Sequence, residues 1–230
     1  MSDRIAVIIP ALDEEQAIGR VIAGIPRRPA SEVIVVDNGS RDRTADVALR
    51  GGARVVREPR KGYGQACLAG IAAASEADVY VFLDGDGSDH PEQLPELLAP
   101  IVSGEADMVI GSRSLGRRAP GAHPWHAILG TRLCVWLMNT LVGTRATDLG
   151  PFRAIRATAL RGLEMTDRNF GWTVEMQVKA ARHGLRVLEV PVDYRPRIGR
   201  SKVSGTLGGS LRAGAKILGV IARHALGRAG

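Results

Sequence analysis

The chain has 230 residues, 45% of them apolar and 24% charged. That size and balance support a packed core in one large domain and exclude a chain disordered by composition. The 31 basic and 24 acidic residues leave a net +7, which admits phosphate-rich ligands or an anionic membrane surface; the 4% aromatic content argues against base stacking on nucleic acid.

In chain order, Met-Ser-Asp-Arg runs straight into a predicted strand over Ile5 to Ile9, with no signal peptide. A helix from Asp13 to Ala23 follows, then a strand from Val33 to Val36 and a helix from Arg43 to Leu49. A strand from Arg54 to Arg57, a helix from Gln65 to Ala74, a strand from Val79 to Leu83 and a helix from Glu92 to Val102 continue the alternation. Met108 to Ile110 makes a fifth strand. Near-continuous apolar strands between amphipathic helices predict an α/β fold with a mainly parallel sheet flanked by helices.

The second half is less regular. Ser112 to Pro124 is rich in Gly, Pro and Arg and reads as a loop. A helix is expected from Trp125 to Leu141, an irregular stretch from Gly143 to Phe152, a short helix near Leu160, a helix from Trp172 to His183 and a strand from Arg186 to Val192. The last helix is expected over Thr206 to Leu226, so residues 1–205 read as one domain and 206–230 as an amphipathic appendage. Cys67 and Cys134 sit in apolar helical patterns and read as buried thiols in a reducing compartment. No apolar run reaches about 18 residues, so no spanning helix is expected. Cytoplasmic placement follows, with peripheral attachment to the cytoplasmic face of a membrane as a further expectation.

In an open parallel sheet, ligands bind beyond the carboxyl ends of the strands. Those ends carry Pro10-Ala11-Leu12-Asp13-Glu14-Glu15, Asp37-Asn38-Gly39-Ser40, Asp84-Gly85-Asp86-Gly87 and Gly111-Ser112-Arg113. Neither a glycine-rich dinucleotide fingerprint nor a P-loop lysine motif is present. A carboxylate such as Asp37 suits a base N–H. Asp84 and Asp86, one residue apart, suit ribose hydroxyls and a divalent ion, Mg²⁺ or Mn²⁺, bridging a diphosphate. Arg113 supplies a fixed positive charge. Each segment also has a plainer reading. Asp13 with Gln16 fits a capping box, and Asp37 to Ser40 fits a turn. Two acids straight after an apolar strand, however, repel each other, and no turn requires both.

The segments Ile9 to Glu15, Val36 to Thr44 and Leu83 to Gly87 resemble the serial motifs of glycosyltransferase family 2. The resemblance continues through Gly111-Ser112-Arg113, Thr147-Asp148-Leu149-Gly150-Pro151-Phe152-Arg153 and Gly199-Arg200-Ser201-Lys202. It spans about residues 5 to 205 and points to the branch containing dolichyl-phosphate mannose synthase and polyprenyl-phosphate sugar transferases. The resemblance implies the GT-A fold and inverting transfer. It implies that Pro10, Leu12, Glu14 and Asp37 form the nucleoside pocket and that Asp84 and Asp86 bind the metal. It implies that Arg113 contacts donor or phosphate, that Asp148 is an acid near the acceptor, and that Arg200 and Lys202 belong to a late basic segment that meets phosphates. Gly150-Pro151-Phe152-Arg153 departs from the family's more usual Ser-Gly-Phe-Arg. The Gln-x-x-Arg-Trp signature of processive synthases is missing, which favours single transfer.

An alcohol acceptor needs a general base, for which Asp148 is the candidate; its rival role is capping or pairing with Arg145 or Arg153. A phosphate acceptor is already ionised, and positioning by Arg153, Arg200 and Lys202 would matter more. The acid-free tail after Asp193 and the apolar residues of the helices near Leu133 and Leu218 suit an anionic membrane surface or a second subunit in a homo-oligomer. A polyprenyl or dolichyl phosphate is therefore the preferred acceptor, with a soluble small molecule as the alternative. A phosphohydrolase of the haloacid dehalogenase type is a further rival, because Asp84-Gly85-Asp86-Gly87 superficially matches its nucleophile loop. That loop should end the first strand, and here three predicted strands precede its own.

Overall fold

The computed structural model describes residues 3–74, 76–122, 124–199 and 218–219. Seven strands form one sheet in the order β3-β2-β1-β4-β6-β5-β7. They are β1 (Ile5–Ala11), β2 (Glu32–Asp37), β3 (Arg54–Arg57), β4 (Val79–Phe82), β5 (Met108–Ser112), β6 (Arg153–Arg156) and β7 (Val187–Pro191). Neighbouring strands are parallel except at β6, which runs antiparallel to both β4 and β5. The architecture is the expected mainly parallel sheet with helices on both faces.

The helices are α1 (Ile18–Gly24), α2 (Thr44–Arg50), α3 (Tyr63–Ala73), α4 (Leu94–Val102), α5 (Trp125–Val142), α6 (Ala157–Gly162) and α7 (Trp172–Arg182). Successive residues of a strand point to opposite faces, and β1 divides accordingly. Ile5, Val7 and Ile9 face the core shared with α1 and α4. Ala6 and Ile8 face the core shared with α3, α6 and α7. In α4 the apolar positions Leu94, Leu97, Leu98 and Ile101 fall on one stripe, and all four are buried. Removing one such side chain to Ala costs about 2–5 kcal/mol. On the other face the Trp172 ring meets Phe82 edge-on, with centroids 6.1 Å apart. Both cysteines are buried free thiols.

Two expectations need revision. Helix α1 begins at Ile18, so Asp13 to Gln16 form a turn in place of a first helical turn. The carboxylates there serve the neighbouring loop: Asp13 Oδ1 accepts the Arg41 amide at 2.7 Å, and Glu15 Oε2 accepts the Arg43 amide at 3.1 Å. The capping box between Asp13 and Gln16 therefore does not form. The irregular stretch up to Phe152 is followed by β6, a strand that the sequence pattern hides. The expected helix from Thr206 to Leu226 lies outside the described residues apart from Leu218 and Gly219, which are helical. Among the described residues, no helix is long and apolar enough to cross a membrane.

Candidate active site

The carboxyl ends of β1, β2 and β4 open onto a cleft of about 330 Å³. Pro10, Leu12, Glu14, Asp84 and Asp86 all line it, together with Asn38, Lys61, Tyr63, Asn169, Phe170 and Arg197. Asp37 closes β2 just behind this surface and is largely buried; its Oδ1 accepts the Ser40 amide at 3.0 Å. The next residue, Asn38, carries the wall. Its Nδ2 donates to the carbonyls of Glu58 and Arg60 at 2.9 and 2.8 Å, and its Oδ1 accepts the Gly62 amide at 2.8 Å.

That wall depends on two glycines at the start of α3. A Cβ on Gly62 would lie 2.1 Å from the Arg168 carbonyl oxygen, and one on Gly64 would lie 2.1 Å from that of Asp167. Their absence lets the segment before α7 settle onto α3 and brings Asn169 and Phe170 to the cleft. Glu175 secures the same segment from below. Its carboxylate accepts the Thr166 amide (3.0 Å), the Asp167 amide (2.7 Å) and the Thr166 hydroxyl (2.6 Å), and pairs with Lys179 at 2.9 Å. Those bonds hold its carboxyl below the usual range although burial opposes them.

The turn after β4 concentrates negative charge. Asp86 Oδ1 accepts the amide and hydroxyl of Ser88 at 2.9 and 2.5 Å. Asp89 Oδ2 accepts the Asp84 amide at 3.2 Å. Asp84 Oδ1 and Asp89 Oδ1 are enclosed without a hydrogen-bond partner. Burial, then the neighbouring charges of Asp86 and Asp89, raises the Asp84 carboxyl well above its ordinary value. Burial and Asp86 raise Asp89 to about 7. The Tyr63 hydroxyl is enclosed beside Asp84 and is raised well above the usual phenol by burial, then by that carboxylate.

Unpartnered carboxylate oxygens crowded against one another are the donor set of a hard divalent cation. Among the described residues, no group of three or more His, Cys, Asp and Glu side chains is placed to hold an ion unaided. One or two carboxylates completed by substrate phosphates is the usual arrangement for Mg²⁺. Asp84 and Asp86 fit that role.

Arg113 and Asp148 meet at a second cavity of about 400 Å³, beyond the end of β5. Arg113, Arg118 and Arg132 line it with Ile128, Thr147 and Asp148. Arg113 and Asp148 form a two-pronged pair, Nε to Oδ2 at 2.7 Å and Nη2 to Oδ1 at 2.8 Å. The Arg113 amide also donates to Oδ2 at 2.9 Å, and the Leu149 amide to Oδ1 at 2.7 Å. The Arg113 guanidinium carbon lies 5.0 Å from the Tyr194 ring centroid, a cation–π contact. Burial pulls the Asp148 carboxyl up, but Arg113 wins and holds it below its ordinary value. Burial likewise opposes the Arg113 charge, and Asp148 more than reverses that. A carboxylate so acidified, with both oxygens engaged, is a poor proton acceptor. The geometry suits Asp148 to orienting Arg113, and its arginine partner is Arg113 in place of the expected Arg145 or Arg153.

Arg153 lines neither cavity. Its side chain is fully buried. It donates to the carbonyls of Thr173 at 2.8 Å and Gly150 at 3.1 Å, and burial lowers it to about 10. It braces the Leu149–Gly150 backbone next to Asp148, which corrects the expected phosphate contact. Arg200 and Lys202 lie outside the described residues. The basic side chain that does reach the cleft from this late segment is Arg197, which the sequence reading passed over.

The family model "Glycosyl transferase family 2" matches residues 6–162. An uncharacterized glycosyltransferase of Mycobacterium tuberculosis is 44% identical over 213 residues, covering 92% of this chain and 94% of that protein. A dolichyl-phosphate hexose transferase of Haloferax volcanii is 36% identical, covering 90% of each. Among solved structures, glucosyl-3-phosphoglycerate synthase from Mycobacterium tuberculosis, in complex with Mn²⁺ and UDP-glucose, superposes with a TM-score of 0.76 at 25% identity, covering 97% of this chain and 79% of that one.

Proposed function

Since the chain belongs to glycosyl transferase family 2, we propose that it is an inverting, metal-dependent hexosyltransferase that moves one sugar from a nucleotide diphosphate sugar to a polyprenyl or dolichyl phosphate. The nucleoside end of the donor lies against Pro10, Leu12 and Asn38, with Asp37 behind them. The Asp84-Gly85-Asp86 turn receives the diphosphate end through Mg²⁺ or Mn²⁺. When bound, such an ion neutralises charge on the departing nucleoside diphosphate.

The observation that carries the acceptor reading is the neighbourhood of the second cavity. Between Asp107 and Asp148 the sequence has no acidic residue. The cavity's arginines sit beside a helix face bearing Leu129, Leu133 and Trp136, which are 54, 52 and 60% exposed. Positions 129, 133 and 136 follow helical spacing along one side of α5. A basic pocket bordered by an exposed apolar stripe suits a phosphate head attached to a hydrocarbon tail, with Trp136 at the membrane interface. A phosphate monoester is largely ionised at neutral pH. It needs no general base, in keeping with an Asp148 already committed to Arg113. Arg113 and Arg118 then align the phosphate oxygen for in-line attack.

A soluble phosphorylated acceptor is the second reading. The likeness to glucosyl-3-phosphoglycerate synthase favours it, and the arginine cavity alone would serve it. Radiolabelled UDP- and GDP-sugars incubated with the protein, Mn²⁺ and native membranes separate the two. The lipid reading expects label that partitions into organic solvent and is released by mild acid. Label confined to water-soluble product overturns it.

A further inference from the structure

The segment after β7 returns across the Asp84-Gly85-Asp86 turn and is fastened to it. The Arg195 amide donates to the Ser88 carbonyl at 3.0 Å, and the Ile198 amide to that of Asp86 at 2.9 Å. Arg195 Nε donates to the Gly87 carbonyl at 2.7 Å. The Ile198 side chain packs over Gly87, where an added Cβ would lie 3.3 Å from its Cδ1. Arg197 is held between these fixed points, and its side chain enters the donor cleft. Nη2 meets Glu14 Oε1 at 3.0 Å, and Nη1 lies 3.4 Å from Asp86 Oδ2.

This is an awkward pairing for an arginine. The guanidinium fork matches one carboxylate with two parallel bonds, as Arg113 matches Asp148. Arg197 instead bridges two carboxylates from different strand ends, with a single contact to each. Its Nε is enclosed and has no hydrogen-bond partner, which is unfavourable for a buried donor. The side chain therefore cancels charge at the turn without filling its own bonding capacity. A diphosphate, with several acceptor oxygens, would satisfy the fork better than Glu14 and Asp86 do.

We propose that Arg197 is a resident counter-cation of the metal site, competing with the divalent ion for Asp86 and passing to the donor diphosphate when the ion takes its place. The inference rests on the reading of the cleft as a nucleotide sugar site. It assigns a task to the late basic segment that a permanent strut would not have. Metal alone must displace an ion pair. With diphosphate present the same displacement costs less, because the displaced guanidinium gains a new partner. Ion and nucleotide then bind with positive coupling, and part of that coupling runs through Arg197.

The test measures Mn²⁺ binding to the full chain by electron paramagnetic resonance of the free ion, alone and with UDP or GDP. Calorimetry gives the nucleotide affinity, and circular dichroism confirms folding. Arg197→Gln should bind Mn²⁺ alone about three- to tenfold more tightly, the scale of a partly exposed ion pair. The same variant should bind UDP or GDP in the presence of Mn²⁺ about tenfold more weakly. Arg197→Lys, which keeps the charge and loses the fork, should fall between wild type and Arg197→Gln in metal affinity. Opposite signs for metal and nucleotide are the signature, since loss of a structural strut would weaken both. Unchanged or weaker Mn²⁺ binding in both variants, with wild type binding ion and nucleotide normally, overturns the competition and leaves the proposed function standing. Wild-type protein that binds neither ion nor nucleotide overturns the proposed function, and this inference with it.

Discussion

Replacing Asp148 by Asn keeps the shape of the side chain and removes the charge that faces Arg113. The Asp148 side chain is 1% exposed and that of Arg113 11%, so water cannot replace the lost partner. Breaking a buried pair on one side costs about 3–5 kcal/mol because the remaining charge is stranded. The Asn carbonyl still accepts one guanidinium bond, which places the expected loss near 3 kcal/mol. For a chain of this length that lowers Tm by roughly 6–12 °C. The pH dependence has a definite sign. The Asp148 carboxyl is held below its unfolded value, so its contribution is fully present above about pH 4 and is lost as pH falls through the lower folded value. Urea unfolding of wild type and Asp148→Asn between pH 3 and pH 7 should therefore give curves that converge at the acid end. Equal stability at pH 7, or a gap that widens in acid, would refute the assignment of Asp148 as the partner that orients Arg113.

Asp89 shifts in the opposite direction. Its carboxyl is raised to about 7, so the folded protein retains a proton that the unfolded chain releases near pH 4, and stability falls as pH rises through that interval. Without divalent ions, Asp89→Asn should raise stability by on the order of 1–2 kcal/mol at pH 8 and change it little at pH 4, as thermal unfolding at the two pH values will show. Trp136→Glu on the exposed face of α5 should reduce sedimentation with anionic vesicles and turnover of a lipid phosphate acceptor by at least about fivefold, while leaving UDP or GDP binding within about twofold of wild type. Loss of nucleotide binding in that variant would show that the α5 face serves folding instead of the acceptor side.

Strands β1, β2, β4 and β5 were legible because each is a short, mostly buried apolar run set between helices, and β3 because it continues their alternation. Strand β6 was not. It is four residues long with arginine at both ends, and Arg153 is buried only because carbonyl oxygens of Leu149, Gly150 and Thr173 surround its guanidinium. No periodicity announces such a residue as interior. The start of α1 was misplaced for a related reason. Asp13 and Glu15 look like acids of a first helical turn, yet they accept amides from the loop at Arg41 and Arg43. Sequence spacing cannot reveal partners 28 positions away.

The site divides along the same line. Glu14, Asp37, Asp84, Asp86 and Arg113 could be placed because strand ends in a parallel sheet share one edge. Arg197 and Asn169 arrive through segments that return from the far end of the chain, so only the tertiary structure shows them in the cleft. The resemblance implied that Asp148 is near the acceptor, but its partner Arg113 lies 35 residues earlier, and the sequence offered Arg145 and Arg153 for the pairing instead. The one local clue that went unused was Gly62-Tyr63-Gly64. Two glycines opening a helix signal close backbone contact, and the segment that makes this contact carries Asn169 and Phe170 to the cleft.

The central claim is that the Asp84-Gly85-Asp86 turn holds a divalent ion and, through it, the diphosphate of a sugar donor. Thermal melting against a panel of UDP- and GDP-sugars, with and without Mn²⁺, tests it most directly. At about a hundredfold excess over Kd, one donor should stabilise the wild type by roughly 2.7 kcal/mol only when Mn²⁺ is present, and Asp86→Ala should abolish that gain. Stabilisation that needs no metal, or that survives Asp86→Ala, would contradict the account.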